Sequence, residues 1–293
     1  MPAYNSAGTI GETLESVRAQ SFADWEVVVC DDHSTDDTID LVEQLRDDRI
    51  RVVPSPVNVG PAAARNRALG HAESELIAFL DADDLWRPDY LERQVRRYDE
   101  ECRRGRRVGI VACNALLAKD DGSLEPHTYF ELFGRRKLEP VTVERLLRRN
   151  TIFISCLVPR AAGEQAGWFD PDLFGTEDHD LWLKIVELGY DVVIDHEPLA
   201  TYRRGATSIS RNTPRQAQNN QKTLLAALRR GRLTPRQQRV ARSELRYNRA
   251  LAAVAAAAFD HKPPPARALP DVLWVAVTRP AQWGQWLTAL RSQ

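Results

Sequence analysis

Apolar residues in the first hundred positions occur either in short continuous runs or at intervals of three and four. The continuous runs at residues 25–30, 50–53 and 76–79 predict buried strands, because a half-exposed strand would alternate apolar with polar positions. Residues 9–20 and 62–69 carry apolar positions at helical spacing. Strands that alternate with helices at such short intervals predict an α/β fold, a parallel sheet with helices on both faces.

The second hundred residues continue the pattern less regularly. Apolar runs predict strands at 108–117 and 152–158, and residues 191–196 and 199–203 predict two short strands that finish the sheet. Between the first two strands, residues 119–142 are polar with scattered aromatic side chains, which indicates a long excursion from the sheet.

The pattern changes near residue 211, after which only helical periodicity is found. Helices are predicted at 213–230, 234–259 and 270–290. We therefore expect an α/β domain over residues 1–212 and a C-terminal helical region over 213–293.

Three carboxylates, Asp81, Asp83 and Asp84, occupy four positions after the strand predicted at 76–79. Grouped carboxylates repel one another, and their desolvation costs free energy unless a cation neutralises them. Oxygen-only ligation suits Mg²⁺ or Mn²⁺, which often bridge a carboxylate and the phosphates of a ligand. The other interpretation is an acidic turn that caps the next helix. The triplet alone favours the cap, because short motifs often match by chance.

Other polar residues fall at the same edge of the predicted sheet. Tyr4-Asn5, Asp31-Asp32 and the acidic triplet all follow strands, and ligands of parallel sheets bind beyond the carboxyl ends of the strands. A further acidic group at residues 177–180 opens a helix that ends at Gly189. Its carboxylates either cap that helix or face a cleft, and the pattern leaves both interpretations open.

Composition narrows the functional classes. A net charge of −1 over 293 residues argues against a general nucleic-acid binder. The four cysteines are scattered and form no Cys-x-x-Cys pair, which predicts reduced thiols in a cytosolic protein. No run of about 18 apolar residues occurs, so the chain is not expected to span a membrane.

The C-terminal third is rich in arginine, with eight arginines between Arg229 and Arg249. The usual meaning of such a run is a solvated helix face. The functional alternative is peripheral contact with anionic lipid headgroups of a membrane, or with a phosphorylated acceptor. Trp274, Trp283 and Trp286 fit either interfacial anchoring or helix packing.

Five motifs follow one another on elements of suitable type. They are PAYN at 2–5, VCDDHSTD at 29–36, NVGPAAARN at 58–66, LDADD at 80–84 and EDHDLW at 177–182. Together they resemble the signature series of family 2 glycosyltransferases with the GT-A fold. The resemblance covers approximately residues 1–210 and does not extend to the C-terminal helices.

The resemblance implies a metal-dependent inverting hexosyltransferase that uses a nucleotide-diphosphate sugar, most often a UDP-sugar. The residues it implies at the donor are Pro2, Tyr4, Asp31, Asp32, Arg65 and Asp81. Pro2 and Tyr4 would line the base or ribose pocket, and Asp31 and Asp32 would accept hydrogen bonds there. Asp83 would ligate the Mg²⁺ or Mn²⁺ that bridges the diphosphate.

On the acceptor side, the resemblance implies Asp178 as the general base. It would deprotonate an acceptor hydroxyl as that oxygen attacks the anomeric carbon opposite the leaving diphosphate. Glu177 and Trp182 are implied to shape the acceptor side. The family-level expectation is a glycan or lipid-linked acceptor in bacterial surface-polysaccharide or glycolipid assembly, in the cytoplasm or at the inner face of the cell membrane.

Two features depart from the family pattern. The first strand, which normally precedes the PAYN segment, is absent, so we expect either a chain truncated at its start or a sheet without a central strand. Restoring upstream residues is then expected to raise the melting temperature. Many family members carry a histidine between a late Tyr-Arg pair, here Tyr202-Arg203, and a final Ser-x-Ser. This chain has Arg204 there, which is expected to bind diphosphate charge.

Two alternatives stay open at this point. A sugar-nucleotide pyrophosphorylase has a similar sheet but needs a glycine-rich phosphate loop, which residues 5–8 match poorly. A sugar-nucleotide-binding protein with a damaged, non-catalytic GT-A fold is favoured by the missing strand, whereas Asp83 and Asp178 argue against it. The sequence assigns no particular sugar, acceptor or oligomeric state.

Overall fold

A computed structural model describes residues 1–133, 140–204, 213–259 and 265–279. Internal contacts divide this described part into two units. The first unit contains residues 1–146 and 150–204, and the second contains residues 147–149 and the helices from residue 213 onward.

The first unit begins with three strands, each followed by a helix. In chain order these are β1 (Pro2–Ala3), α1 (Ile10–Arg18), β2 (Val27–Asp31), α2 (Thr38–Gln44), β3 (Ile50–Pro54) and α3 (Pro61–Leu69). The strands pair in the order β1-β2-β3 and run parallel. Successive residues of β2 face opposite sides, so Val29 packs with Ile10 of α1, whereas Cys30 packs with Ala64 of α3. Helices cover both faces, as predicted.

The rest of the first unit forms a five-stranded sheet. Its elements are β4 (Leu76–Ala78), β5 (Leu85–Trp86), α4 (Tyr90–Arg103), β6 (Val108–Ala118), α5 (Val143–Arg148), β7 (Cys156–Pro159), α6 (Arg160–Ala166), α7 (Glu177–Glu187) and β8 (Asp191–Arg203). The last two residues of α5 are counted with the second unit. The strand order is β4-β7-β6-β8-β5, in which β6 and β8 are parallel and the other pairs antiparallel. The two longest ladders, β2–β3 and β6–β8, are both parallel, which agrees with the mostly parallel α/β prediction.

Two strands differ from the prediction. The prediction of a strand over 152–158 is wrong at its start, because Ile152 and Phe153 are buried without joining the ladder that begins at Cys156. A continuous apolar run reports burial, and burial does not require strand pairing. The prediction of two strands in 191–203 is also wrong, since one strand runs through an irregular register next to Pro198.

A largely apolar cavity of about 300 Å³ lies between β2 and β4, and its lining includes Val28 and Ile77. Met1 also lines it, and its amino group donates to the carbonyl oxygen of Val28 at 2.9 Å. Within the described residues, β4 pairs on one side only, with β7. β1 supplies two residues of the strand that the sequence analysis found absent.

The second unit is helical in its described part, as the sequence predicted. It contains α8 (Thr213–Arg229), α9 (Pro235–Phe259) and α10 (Leu269–Thr278). Its core includes Ala250 and Val254 of α9, which pack with Val272 and Val275 of α10. Helix α9 begins with a capping box, in which Thr234 and Gln237 exchange hydrogen bonds between side chain and backbone.

Several expectations concern residues outside the described ranges. These are the segment 205–210 after Arg204, part of the 119–142 excursion, the end of the helix predicted at 270–290, and Trp283 and Trp286. Among helices in the described ranges, none combines the length and the apolar character needed to cross a lipid bilayer. The four cysteines carry no disulfide, and Cys30, Cys113 and Cys156 are buried.

Candidate active site

The acidic triplet lies in a turn between β4 and β5. Carboxylate oxygens of Asp81, Asp83 and Asp84 come within 4.8 Å of one another. Two hydroxyls of helix α1 hold this turn, since Thr9 and Thr13 donate to the carbonyl oxygen of residue 82 at 2.9 and 3.0 Å. The turn does not cap the next helix, because α4 begins only at residue 90. The carboxylates are therefore grouped by the fold for another reason.

Asp84 is the buried member of this group. Its Oδ1 accepts a hydrogen bond from the backbone N–H of Arg203 at 3.0 Å, whereas Oδ2 has no partner among the described residues. Burial, followed by the charges of Asp83 and Asp81, raises the pKa of Asp84 well above its ordinary value. The sequence grouped Asp84 with Asp81 and Asp83 but gave it no role of its own.

Asp83 keeps its side chain exposed, although the protein around it still desolvates the carboxylate in part. That desolvation, and next the charge of Asp81, raises the pKa of Asp83 to about 6. A divalent cation would relieve the repulsion among the three carboxylates. The unpartnered oxygen of Asp84 could then serve as one of its ligands. The donor set is all oxygen and fits Mg²⁺ or Mn²⁺.

Arg65 joins the acidic turn to the start of helix α7. Its guanidinium donates to Oδ1 of Asp81 at 2.5 Å and to Oε1 of Glu177 at 2.8 Å. Arg65 and Glu177 are buried, and Asp81 is partly exposed. Although burial opposes the charge, the two carboxylates raise the pKa of Arg65. One side chain therefore brings together the acidic turn and the residue that precedes Asp178.

Asp178 is half-buried in the first turn of α7. Its Oδ1 accepts from the backbone N–H of His179 at 2.7 Å, and its Oδ2 accepts from Nδ2 of Asn150 at 2.9 Å. Desolvation by the surrounding protein, followed by the charge of Glu177, raises the pKa of Asp178 to about 7. A carboxylate that titrates near neutral pH suits general-base chemistry.

Asp31 and Asp32 are both buried at the end of β2. The two oxygens of Asp32 accept from the backbone N–H groups of Val59 and Gly60, each at 2.8 Å. Gly60 has φ +83°, which favours glycine, and it precedes the first residue of α3. Asp32 thus fixes the turn from which Arg65 is presented, a role that the sequence did not reveal.

The other predicted residues are placed as follows. Pro2 pairs with β2, and Tyr4 is 51% exposed in the loop after β1. Nη1 of Arg204 lies 3.5 Å from both carboxylate oxygens of Glu125. Trp182 is fully buried and packs against Phe79, so it supports the site from beneath and has no free surface for an acceptor.

Sequence reasoning also missed a residue that shapes the loop before α7. Asn66 donates from Nδ2 to the carbonyl oxygen of Phe169 at 2.8 Å and accepts from its N–H at 3.1 Å on Oδ1. The available signal was its position directly after Arg65 in the third motif. Asn66 therefore ties α3 to the chain that leads to Asp178.

Comparison with known proteins supports the resemblance seen in the motifs. The family model for glycosyl transferase family 2 matches residues 1–150. TuaG of Bacillus subtilis, a glycosyltransferase named for teichuronic acid biosynthesis, is 36% identical over 214 residues, which are 72% of this chain and 80% of TuaG. WfaP of Escherichia coli, named a UDP-Glc:alpha-D-GlcNAc-diphosphoundecaprenol beta-1,3-glucosyltransferase, is 31% identical over 211 residues, or 72% and 78% of the two chains.

A solved structure shares the fold. The mannosyltransferase PcManGT from Pyrobaculum calidifontis, in complex with GDP-Man and Mn²⁺, aligns with a TM-score of 0.65 and 24% identity. The alignment covers 99% of this chain and 84% of that one. At this identity the likeness establishes the fold, which is GT-A with additional C-terminal helices.

Proposed function

The chain belongs to glycosyl transferase family 2 and is a glycosyltransferase, and we propose that it moves a hexosyl group from a UDP-sugar to a hydroxyl of a lipid-linked glycan, with inversion. The observation that carries this proposal is the guanidinium of Arg65, which holds Asp81 and Glu177 in one cluster. A donor whose diphosphate lies at the acidic turn is then beside Asp178, the proposed base.

At the donor end, Asp83 is the proposed ligand of Mg²⁺ or Mn²⁺, with Asp81 and Asp84 beside it. When bound, the cation supplies positive charge that stabilises the departing diphosphate more in the transition state than in the ground state. Asp81 is held by Arg65 through one oxygen, which leaves the other free to face the ion or the ribose. Removal of the exposed Asp83 carboxylate should therefore weaken donor binding with little effect on folding.

The remaining donor contacts are proposed from the family pattern, and the observed exposure and hydrogen bonds decide which side chains are available for them. Tyr4 is 51% exposed and available to stack on a base, and Pro2 precedes it by two residues. Asp31 is proposed to accept a hydrogen bond from the base or ribose. Asp32 was predicted to do the same, but both of its oxygens already accept from backbone N–H groups of the turn before α3. Arg204 is proposed to contact the diphosphate, which requires it to exchange the charge of Glu125 for that of the donor.

At the acceptor end, Asp178 is the proposed general base. Its carboxylate takes the proton of the acceptor hydroxyl while that oxygen forms a bond to the anomeric carbon. The bond from the anomeric carbon to the diphosphate breaks, and the nucleoside diphosphate leaves with the electron pair. Attack opposite the leaving group inverts the anomeric centre. The charge of Glu177 is neutralised by Arg65. Glu177 is therefore proposed to act mainly by raising the pKa of Asp178 and only secondarily by contact with the acceptor.

The choice of donor and acceptor rests on the relatives. The printed name of WfaP gives UDP-Glc as donor and a diphosphoundecaprenol-linked sugar as acceptor. A bacterial polysaccharide role is consistent with the name of TuaG. The alternative of a non-catalytic sugar-nucleotide binder is not favoured, because the relatives are named as glycosyltransferases and the acidic turn and Asp178 are both in place.

The division of labour is also a proposal. Residues 1–212 are proposed to form the catalytic domain, and 213–293 a helical region that works at the inner face of the cell membrane. One surface of α10 supports membrane contact. Leu269, Leu273 and Val277 are 44%, 64% and 79% exposed at intervals of four residues, which places them on one face of the helix.

The charge of the second unit complements an anionic bilayer. Arg267 is exposed two residues before that face, and α9 adds the exposed arginines 236, 239, 242 and 249. Flotation with phosphatidylglycerol vesicles should recover the wild-type chain, and Leu273→Glu should lower that recovery. Leu124→Glu, at an exposed leucine of the first unit, is the matched control. Equal flotation of both variants and the wild type would refute contact through α10.

A donor panel tests the proposed activity. Thermal shift with UDP-, GDP- and dTDP-sugars should show the largest rise for a UDP-sugar, and the rise should depend on Mn²⁺. Release of UDP should then require an acceptor with a free hydroxyl. A shift that is equal for all nucleotides, or unaffected by chelation of the metal, would contradict the proposed donor site.

A further inference from the structure

Asn150 lies in the segment that leads from α5 to β7, outside every motif that suggested the function. Both ends of its side-chain amide are engaged. Oδ1 accepts from the backbone N–H of Ile152 at 3.1 Å, and Nδ2 donates to Oδ2 of Asp178 at 2.9 Å. Because the N–H of Ile152 can only donate, the amide oxygen faces Ile152 and the NH₂ group faces Asp178.

The segment that carries Asn150 is firmly anchored. Ile152 is fully buried, and Phe153 and Ile154 are also buried. Asn150 itself is only half-buried, so its amide is not needed to fill the core. A side chain that is fixed by its own backbone neighbour and aimed at a reactive carboxylate is well placed to orient that carboxylate.

Without Asn150, the bond that remains to the carboxylate of Asp178 from the described part of the chain comes from the adjacent N–H of His179. A bond within the same helical turn leaves the carboxylate plane poorly defined. The bond from Asn150 comes from a separate element and acts on the other oxygen. Two donors from two elements define the plane and leave lone pairs on both oxygens for an incoming hydroxyl.

We propose that Asn150 is a positioning residue for glycosyl transfer, whose amide holds the Asp178 carboxylate in the orientation from which it takes the acceptor proton. The proposal rests on the proposed function, in which Asp178 is the base. Asn150 also stabilises the charged form of Asp178, because its amide donates to that form.

The groups that face Asp178 are few within the described residues. Desolvation raises the pKa of Asp178 most, and the charge of Glu177 of α7 raises it further. Arg65 of α3 and the amide of Asn150 lower it. The Cys156 thiol of β7 is near enough to be affected by Asp178, and burial raises the pKa of that thiol well above its ordinary value, so it stays neutral. Loss of the amide should therefore shift the Asp178 titration upward from about 7.

The first test needs no acceptor. In ¹³C-labelled protein, the carboxyl resonance that disappears in Asp178→Asn reports the titration of Asp178. We expect its midpoint to rise by about one pH unit in Asn150→Ala, since a hydrogen bond to the charged form is lost. In Asn150→Asp, which keeps the shape and adds a negative charge, the rise should be larger.

The second test measures UDP release from UDP-glucose with Mn²⁺ and a GlcNAc-diphosphoundecaprenol acceptor. Asn150→Ala should lower kcat by about ten- to one-hundredfold at pH 7, with little change in the KM for donor. The loss should shrink at higher pH. Asn114→Ala is the matched control, because Asn114 of β6 uses both ends of its amide on backbone groups only, those of His196 and Phe130. It should lower the melting temperature without moving the Asp178 midpoint.

The outcomes separate this proposal from the function on which it rests. If Asp178→Asn retains full turnover, the proposed function fails. If Asp178→Asn is inactive but Asn150→Ala and Asn150→Asp leave the midpoint and kcat unchanged, the role of Asn150 is overturned and the function stands. Should Asn150→Ala fail to fold, the isosteric Asn150→Asp variant decides alone.

Discussion

Arg65 donates from Nη1 to Oε1 of Glu177 at 2.8 Å, and both side chains are buried. The same guanidinium binds Asp81 of the acidic turn. A buried cation between two carboxylates is costly to leave with a partner missing, because the remaining charges stay desolvated. This pair therefore joins the stability of the fold to the geometry of the site.

Arg65→Met should destabilise the protein strongly. Removal of one member of a buried ion pair costs about 3–5 kcal/mol, since Asp81 and Glu177 would face each other without the cation. Urea denaturation measures the loss. The control is Arg103→Met, which breaks an exposed pair with Asp99 and should cost less than about 1 kcal/mol. Equal losses would show that the buried pair contributes no more than a surface pair.

Asp83→Asn should abolish tight Mn²⁺ binding, measured by calorimetry on the chain without donor. In the wild type, the affinity should weaken as pH falls below about 6, because the ion must displace the proton that Asp83 then carries. Asp89→Asn is the control, a half-buried carboxylate paired with Arg87 five residues after Asp84. Unchanged Mn²⁺ affinity in Asp83→Asn would remove this residue from the metal site.

Asp178→Asn should be more stable than the wild type at pH 8, with the difference shrinking toward pH 5. The folded-state pKa of about 7 lies above the ordinary value of 3.8, so folded Asp178 holds a proton that the unfolded chain has released in between. The free energy of unfolding of the wild type therefore falls as pH rises between these two pKa values. The asparagine variant has no carboxylate at this position and lacks that pH dependence. Melting temperatures across this range measure it, and a gap independent of pH would contradict the raised pKa.

Apolar residues fused before Met1 should stabilise the first unit. In the parallel register of β1 with β2, added residues would run beside Val28 and Val27 and fill the cavity there. An extension of Val-Thr-Val-Ile should raise the melting temperature by about 5 °C or more, whereas Gly-Ser-Gly-Ser should not. Burial, and next the charge of Arg65, lowers the pKa of the Met1 amine from 8.0 to about 5.

The pH dependence of this gain provides a second check. Between pH 5 and 8 the unfolded amine binds a proton that the folded amine does not, so the stability of the unextended chain rises with pH. An extended chain has an amide at that position. The gain should therefore be largest near pH 5 and smallest near pH 8, and the opposite trend would refute the burial of the amine.

Local sequence patterns predicted most of the fold and the grouping of carboxylates in the acidic turn. The acidic turn and the start of α7 were predictable because each is encoded by a few consecutive residues with a clear physical signature. The bond between Arg65 and Glu177 joins residues 112 positions apart, and no local pattern reports such a contact. The use of Asp32 as an anchor for Gly60, and of Asn150 as a partner for Asp178, was hidden for the same reason.

Apolar patterns were informative about burial and less so about partners. Trp182 was expected on the acceptor side from the family resemblance, but its helical position turns it toward Phe79 in the core. Residues 152–154 are as apolar as a strand, yet they are held by side-chain packing and the Asn150 turn. The apolar pattern cannot distinguish a paired strand from a packed loop, because both remove the same side chains from water.

The most direct test of Asp178 as the general base is the rate of sugar transfer by Asp178→Asn, measured together with the affinity of this variant for UDP-glucose and Mn²⁺. We expect transfer to fall by about 10²–10⁴-fold, as for loss of a general base, while donor affinity stays close to that of the wild type. Wild-type transfer by Asp178→Asn, with the donor bound normally, would contradict that role of Asp178.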